Sequence, residues 1–267
     1  MEQKTGRRLM SILLTLALVL GLVPGMSLTA LADTQIGSWS ALNNALSGGA
    51  PQGESESNPT YYKLNKGITA GGSDSAITVA SGRYVVLDLN GQTINRNLST
   101  RTENGWVFNV LGNLTIKDSG SGGTITGGFS EYYHGGGVYV NQGGTFTMEG
   151  GTISGNKASD MNGNGGGVCV EAGGTFTMKS GTISENTAMY GGGVYVDQGG
   201  AFTMKSGTIS KNKAINNGMG GGVYVDGGTF TMESGTISMN EVPGSTGGGV
   251  QVDRGGTFTI ACDNIPV

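Results

Sequence analysis

Residues 135–156 read GGGVYVNQGGTFTMEGGTISGN, and the phrase returns from Gly165 (GGGVCVEAGGTFTMKSGTISEN), Gly191 (GGGVYVDQGGAFTMKSGTISKN) and Gly220 (GGGVYVDGGTFTMESGTISMN). A fifth copy opens at Gly247 with GGGVQVDRGGTFTI. The triple-glycine starts lie 30, 26, 29 and 27 residues apart. A period of that size marks a solenoid, a propeller or an array, each unit being one supersecondary element.

Within each copy the apolar residues alternate with period two, as in strands that bury one face. Val138 and Val140 point one way and Tyr139 the other; Phe146 and Met148 oppose Thr145 and Thr147; Ile153 is flanked by Thr152 and Ser154. The Val138 position is Val in all five copies, whereas the Tyr139 position is filled by Cys169, Tyr195, Tyr224 and Gln251, so the second is the outer one. Three short strands separated by glycine turns suit a right-handed parallel β-helix, an all-β solenoid whose glycines permit the corners. A propeller would want four strands and about 40–50 residues per unit.

Degenerate copies precede the clear ones. Ile77 and Val79 match Val138 and Val140, Leu87 and Leu89 match Phe146 and Met148, Ile94 matches Ile153 and Asn97 matches Asn156. The next coil supplies Phe108, Val110, Leu114, Ile116 and Ile125. The expected total is about seven coils. Ahead of them Trp39, Leu42 and Leu46 form one face of a short helix with Ser38 as N-cap, a cap for the open end of the solenoid. Residues 1–32 read as a secretory signal peptide: Lys4, Arg7 and Arg8, an apolar run from Leu9 to Val23, then Ala30-Leu31-Ala32 with cleavage after Ala32. The organisation is thus a signal peptide (1–32), a capping helix and loop (33–60), degenerate coils (61–134) and regular repeats (135–267). The last coil breaks off, so further chain is expected downstream.

Composition narrows the function. The 53 glycines come without a G-X-Y period and with five Pro, which excludes collagen. Removing residues 1–32 takes away three basic residues and Glu2, moving the formal net charge from −4 to −6. A secreted acidic chain is a poor nucleic-acid binder. Cys169 and Cys262 fall three coils apart, about 14 Å at strand spacing, too far for a disulfide. His134 has no evident partner, and no nucleophile elbow, phosphate-binding loop or metal motif occurs. No catalytic, cofactor or metal residue is therefore assigned, and the chain reads as a non-enzyme.

Four columns and one corner remain. Asn156, Asn186, Asn212 and Asn240 form a structural ladder. Glu171, Asp197, Asp226 and Asp253 share the position after the first strand, either as solvated turns or as carboxylates crowded enough to favour a calcium ion. Thr145/Thr147, Thr175/Thr177, Thr203, Thr229/Thr231 and Thr257/Thr259 face outward, on a face where ice binding is a remote alternative. Tyr139, Tyr195 and Tyr224 make an outward column, cross-coil packing or a platform for sugars. Length varies almost only in the connectors 157–164, 187–190, 213–219 and 241–246, which line up on one edge where solenoids often bind partners.

The words at 136–139, 192–195 and 221–224 with Ile-Ser-x-Asn at 153–156, 183–186, 209–212 and 237–240 resemble the paired motifs of chlamydial polymorphic membrane proteins, which are β-helical adhesins. Ile stands where that family has Phe, and Cys169 and Gln251 interrupt the first motif. SWSALNNAL (38–46) and LDLNGQTI (87–94) add a resemblance to secreted right-handed β-helix repeat proteins of Gram-positive gut bacteria, over about residues 36–260. The resemblance implies a surface location and an adhesin or rigid display module, with host or bacterial surface glycans or proteins as partners. The alternative is a carbohydrate-active enzyme, a polysaccharide lyase or glycosidase, or a carbohydrate-binding module.

Overall fold

The computed structural model describes residues 34–131, 134–159, 161–244 and 247–261. The signal-peptide reading (1–32) and Cys262 lie outside them. The chain forms a parallel β-solenoid of about eight turns with three long sheets and one short N-terminal helix.

One sheet has nine strands, from Thr34–Ile36 and Thr60–Leu64 to Thr257–Ile260. A second has seven, from Ile77–Val79 to Val250–Asp253, and a third seven, from Ile68–Thr69 to Thr236–Ser238. Every pairing between named strands is parallel, each strand lying beside its equivalent one coil away. Thus Val138 faces Val168, Phe146 faces Phe176 and Ile153 faces Ile183.

The inward columns are those the alternation predicts. Val138, Val140, Phe146, Met148 and Ile153 are fully buried, as are their equivalents from Val168 to Ile209 apart from Phe202 at 1%. Phe146, Phe176, Phe202, Phe230 and Phe258 stack in one file, with ring centroids 5.0, 4.7, 4.6 and 4.8 Å apart. This file joins aromatic stacking to burial at every turn.

The triple glycine has two physical reasons. Its first residue has φ near 62° at Gly165, Gly191 and Gly220. Its middle residue is there for space: a Cβ on Gly192 would lie 2.6 Å from the carbonyl oxygens of both Gly221 and Lys213.

Asn156, Asn186 and Asn212 are fully buried and form a continuous hydrogen-bonded ladder. Asn186 Oδ1 accepts from the backbone N–H and side-chain amide of Asn156 (3.0 and 3.1 Å), and Asn186 Nδ2 donates to Ile153 O (2.9 Å) and Asn212 Oδ1 (3.0 Å). Asn212 repeats the pattern onto Ile183 and Asn240. The residue before each Asn is left-handed: Gly155, Glu185, Lys211 and Met239 have φ of 67°, 59°, 57° and 53°.

The helix Trp39–Ser47 closes the first coil. Ser38 Oγ accepts from Ala41 N–H at 3.2 Å, and Trp39, Leu42 and Leu46 are buried. Asn43 Oδ1 accepts the N–H of Thr78 on the edge strand of the second sheet (3.0 Å), a main-chain donor no neighbouring coil would satisfy. Arg83, with a side chain 1% exposed, ties helix and loop to the solenoid. It donates to Glu54 Oε1 (2.8 Å), Ala45 O (2.6 Å) and Gly48 O (3.2 Å), while Glu54 also accepts from Tyr84 N–H (2.6 Å) and the Thr60 hydroxyl. Burial alone would raise the Glu54 carboxyl, but the hydrogen bonds from Arg83, Thr60 and Tyr84 hold it below its ordinary value.

Four sequence expectations are corrected. An additional coil, Thr60–Leu64 with Ile68–Thr69, precedes the expected ones, and Thr34–Ile36 pairs beside it. Val85 and Leu87, rather than Leu87 and Leu89, stand in register with Leu114 and Ile116 and so with Phe146 and Met148. Asn97 is exposed and takes a left-handed corner (φ 57°) instead of joining the ladder, which opens at Gly128 N–H donating to Asn156 Oδ1. The connectors 187–190 and 213–219 are strands, Thr187–Tyr190 and Lys213–Met219, pairing as a fourth, two-stranded sheet. Among the described residues no helix is long and apolar enough to cross a membrane.

Candidate functional site

The outer face of the second sheet is not a solvated surface. Tyr139, Cys169, Tyr195 and Tyr224 form a second apolar cluster with Ala76 and Trp106, outside the coil but buried. The connectors thicken this edge. The second residue of each, Ala158, Ala188, Ala214 or Val242, is buried. Tyr190, which ends one connector, stacks on Tyr224 at 5.6 Å between ring centroids. At the other end Trp106 packs on Tyr139 (4.8 Å) and His134 lies against both rings (5.5 and 4.7 Å). The sequence left His134 unpartnered; besides these rings, its Nδ1 stands 3.8 Å from the Glu171 carboxylate.

The acidic column runs beside the tyrosines and each phenol reaches into it. Tyr195 O–H donates to Asp226 Oδ2 in the next coil (3.0 Å) and lies 3.4 Å from Asp197 Oδ1. Tyr224 O–H donates to Asp253 Oδ2 (3.2 Å). Burial, then the neighbouring carboxylates, pushes the Tyr139, Tyr195 and Tyr224 phenols well above the ordinary range, so they stay protonated donors. Burial also raises the Asp197 carboxyl, with Glu171 and Asp226 adding like-charge repulsion. The Cys169 thiol is fully buried and pushed up by burial and by Glu171, which leaves it inert.

In the acidic column Glu171, Asp197 and Asp253 are partly exposed, and Asp226 alone departs from the solvated-turn reading. Asp226 is only 8% exposed. Its Oδ2 takes the Tyr195 hydroxyl and Arg254 Nη1 (3.2 Å), and its Oδ1 is buried without a hydrogen-bond partner. Among the described residues no group of three or more His, Cys, Asp or Glu side chains is placed to hold a metal ion.

Connector edge, tyrosine column and acidic column meet in a cavity of about 410 Å³, lined by Asn162, Asn164, Tyr190, Met219, Tyr195, Tyr224, Asp226, Asp253 and Arg254. The volume lies in the range of about 300–1,000 Å³ used for small ligands. Three of the four connectors singled out in the sequence frame it through Asn162, Asn164, Tyr190 and Met219. A second concavity at the other end is lined by Glu103, Asn104, Glu131 and His134. Its neighbour Trp106 escaped the sequence reading because it stands before the strand, outside the alternation. The threonine columns lie apart from both, on the outer face of the nine-stranded sheet. Next to them Glu149 pairs with Lys117 (3.3 Å) and Lys179 (3.0 Å).

A family model described as a right-handed β-helix region matches residues 67–265, well over half of the chain. No curated protein and no solved structure gives a significant match. Three parallel sheets wound coil upon coil agree with that match, and the chain belongs to the right-handed β-helix family.

Proposed function

We propose that this chain is a secreted or surface-displayed binding module, adhesin-like, that holds a saccharide in the pocket between Tyr190 and Arg254 without cleaving it. The observation that carries this reading is the convergence of paired tyrosine rings, two carboxylates and two side-chain amides in one concavity of an otherwise uniform array. Aromatic faces pack on the apolar faces of sugar rings, and carboxylates and amides take their hydroxyls. The coils contribute a rigid frame on which that edge is presented. Glycan-array and host-cell binding by the purified chain, beside its Tyr190→Ala variant, tests the proposal. Binding that falls in a folded Tyr190→Ala protein supports it. Absence of binding across glycans and cells leaves a purely structural role and overturns it.

One observation favours a second reading. Asp226 and Asp253 are in-register neighbours on parallel strands, a spacing of about 4.8 Å. That is a backbone spacing, and it sets two carboxylates side by side, as retaining glycosidases pair theirs about 5–5.5 Å apart. Turnover of a polysaccharide that disappears in Asp253→Asn would replace the binding module with an enzyme.

A further inference from the structure

The saccharide-binding reading says where a ligand would sit, and the hydrogen-bonding inventory of the cavity says which class it would be. The donors that face the carboxylates are committed, while the Tyr190 hydroxyl and the Asn162 and Asn164 amides add donors on the connector side. Tyr195 O–H is held by Asp226 (3.0 Å), Tyr224 O–H by Asp253 (3.2 Å) and Arg254 Nη1 by Asp226 (3.2 Å). On the carboxylate side what remains is acceptor capacity. Asp253, partly exposed, takes the Tyr224 hydroxyl and the Gln251 amide at Oδ2, so its Oδ1 stays open as an acceptor; Asp226 Oδ1 also lacks a donor but is shut off from solvent. Asn162 and Asn164 add amides that accept as well as donate.

Charge points the same way. Asp226 and Asp253 line the cavity, with Asp197 beneath Tyr195, against the single guanidinium of Arg254. That guanidinium is already paired to Asp226. Its side chain is 79% exposed, so its remaining charge is largely shared with water. An anionic ring brought against Tyr190, the partly exposed ring of the pair, would meet like charge on the partly buried side and find no uncommitted cation there.

We propose, resting on the saccharide reading above, that this pocket selects hydrogen-bond-donating, non-anionic sugars, neutral or ammonium-bearing, and excludes uronates. Hydroxyl and ammonium groups both supply the donors the carboxylates lack, the ammonium with added charge assistance.

Titration calorimetry of the purified chain with panels of neutral, amino and uronic tetrasaccharides tests this. Neutral and amino sugars are expected to bind, with uronates at least about tenfold weaker. The gap narrows with added salt. Asp253→Asn, which removes a charge at a partly exposed position with little change in shape, is expected to weaken amino-sugar binding and to relieve the exclusion of uronates. Uronate binding equal to or tighter than neutral binding, and lost in Tyr190→Ala, overturns the selectivity while leaving the pocket a saccharide site. Binding of none of the three panels overturns the saccharide reading itself. A preference unchanged by Asp253→Asn and by salt overturns the electrostatic origin assigned to it.

Discussion

Replacing Asn186 by Ala removes one rung of the buried ladder. Four hydrogen bonds go at once: two accepted from Asn156 and one donated to each of Ile153 O and Asn212 Oδ1. The damage is not four times that of one bond. Asn156 Nδ2 keeps Ile125 O and Ser154 O, and Asn212 Oδ1 keeps the Asn186 backbone N–H. The clear loser is the Asn156 backbone N–H, left buried; the Ile153 carbonyl loses its second donor but stays in the parallel pairing of Thr152–Ser154 with Thr182–Ser184. One such group at about 1–3 kcal/mol, with about 1 kcal/mol for the carbonyl's second hydrogen bond, gives a loss near 3 kcal/mol. Urea unfolding of the purified chain measures the total. Repeat arrays can open in segments, so hydrogen exchange should accompany it, with faster exchange concentrated around residues 153–193. Thr177→Ala, on the solvated outer face, is the control and should change stability by no more than about 0.5 kcal/mol. A loss below about 1 kcal/mol in Asn186→Ala would refute the reasoning, because the ladder would then be interchangeable with water.

Three further perturbations follow from particular contacts. Gly192→Ala forces a Cβ to 2.6 Å from two backbone carbonyl oxygens, and it should cost about 3 kcal/mol in denaturant unfolding because neither neighbour is a movable side chain; a neutral result would put the close coil approach in doubt. Lys211 holds φ at 57°, which costs an L-residue about 1–2 kcal/mol. Allowing about 0.5–1 kcal/mol for the extra unfolded-state entropy of glycine, Lys211→Gly should raise stability by about 0.5–1 kcal/mol in the same assay. Glu54 is held below its ordinary value of 4.5, so its contribution is complete above that pH and is lost as pH falls through the folded-state value. The thermal midpoint should accordingly drop on acidification below about pH 4.5. The raised phenols act at the other extreme: Tyr139, Tyr195 and Tyr224 contribute fully below pH 10.0 and destabilise the fold as pH rises above it. Phenolate absorbance should show these three ionising only with unfolding.

The files of the core were legible because each inward position carries nearly one residue type: Val at 138, 168, 194, 223 and 250, and Phe at 146, 176, 202, 230 and 258. Where that uniformity fails, so does register. Val85, Val86 and Leu87 are consecutive apolar residues with Leu89 just beyond, and alternation alone admits two phases; pairing with Leu114 and Ile116 chooses the earlier one. The coil at Thr60–Leu64 was hidden because Tyr61 and Tyr62 carry no alternation and no glycine word introduces them. The burial of the tyrosine column was hidden for a different reason. Strand alternation identifies which side chains leave the coil but not what lies over them. The connectors supply Tyr190 against that column, and the second residue of each, Ala158, Ala188, Ala214 and Val242, is itself buried. That second-position regularity was the available signal, and it fixes the connectors as packed elements rather than free loops. The pocket itself joins residues from separate coils, Asn162 through Arg254, that only the stacking brings together.

The central claim is that the constant repeat builds a frame and that recognition belongs to the edge where the connectors lie. Hydrogen–deuterium exchange of the chain with and without a bound neutral or amino saccharide tests it most directly. The account predicts protection confined to residues 162–164, 190, 219, 224–226 and 253–254, with the strands Thr145–Met148 and Thr175–Met178 of the nine-stranded sheet unchanged. Protection centred on those threonine-bearing strands, with the connector edge unaffected, would contradict it.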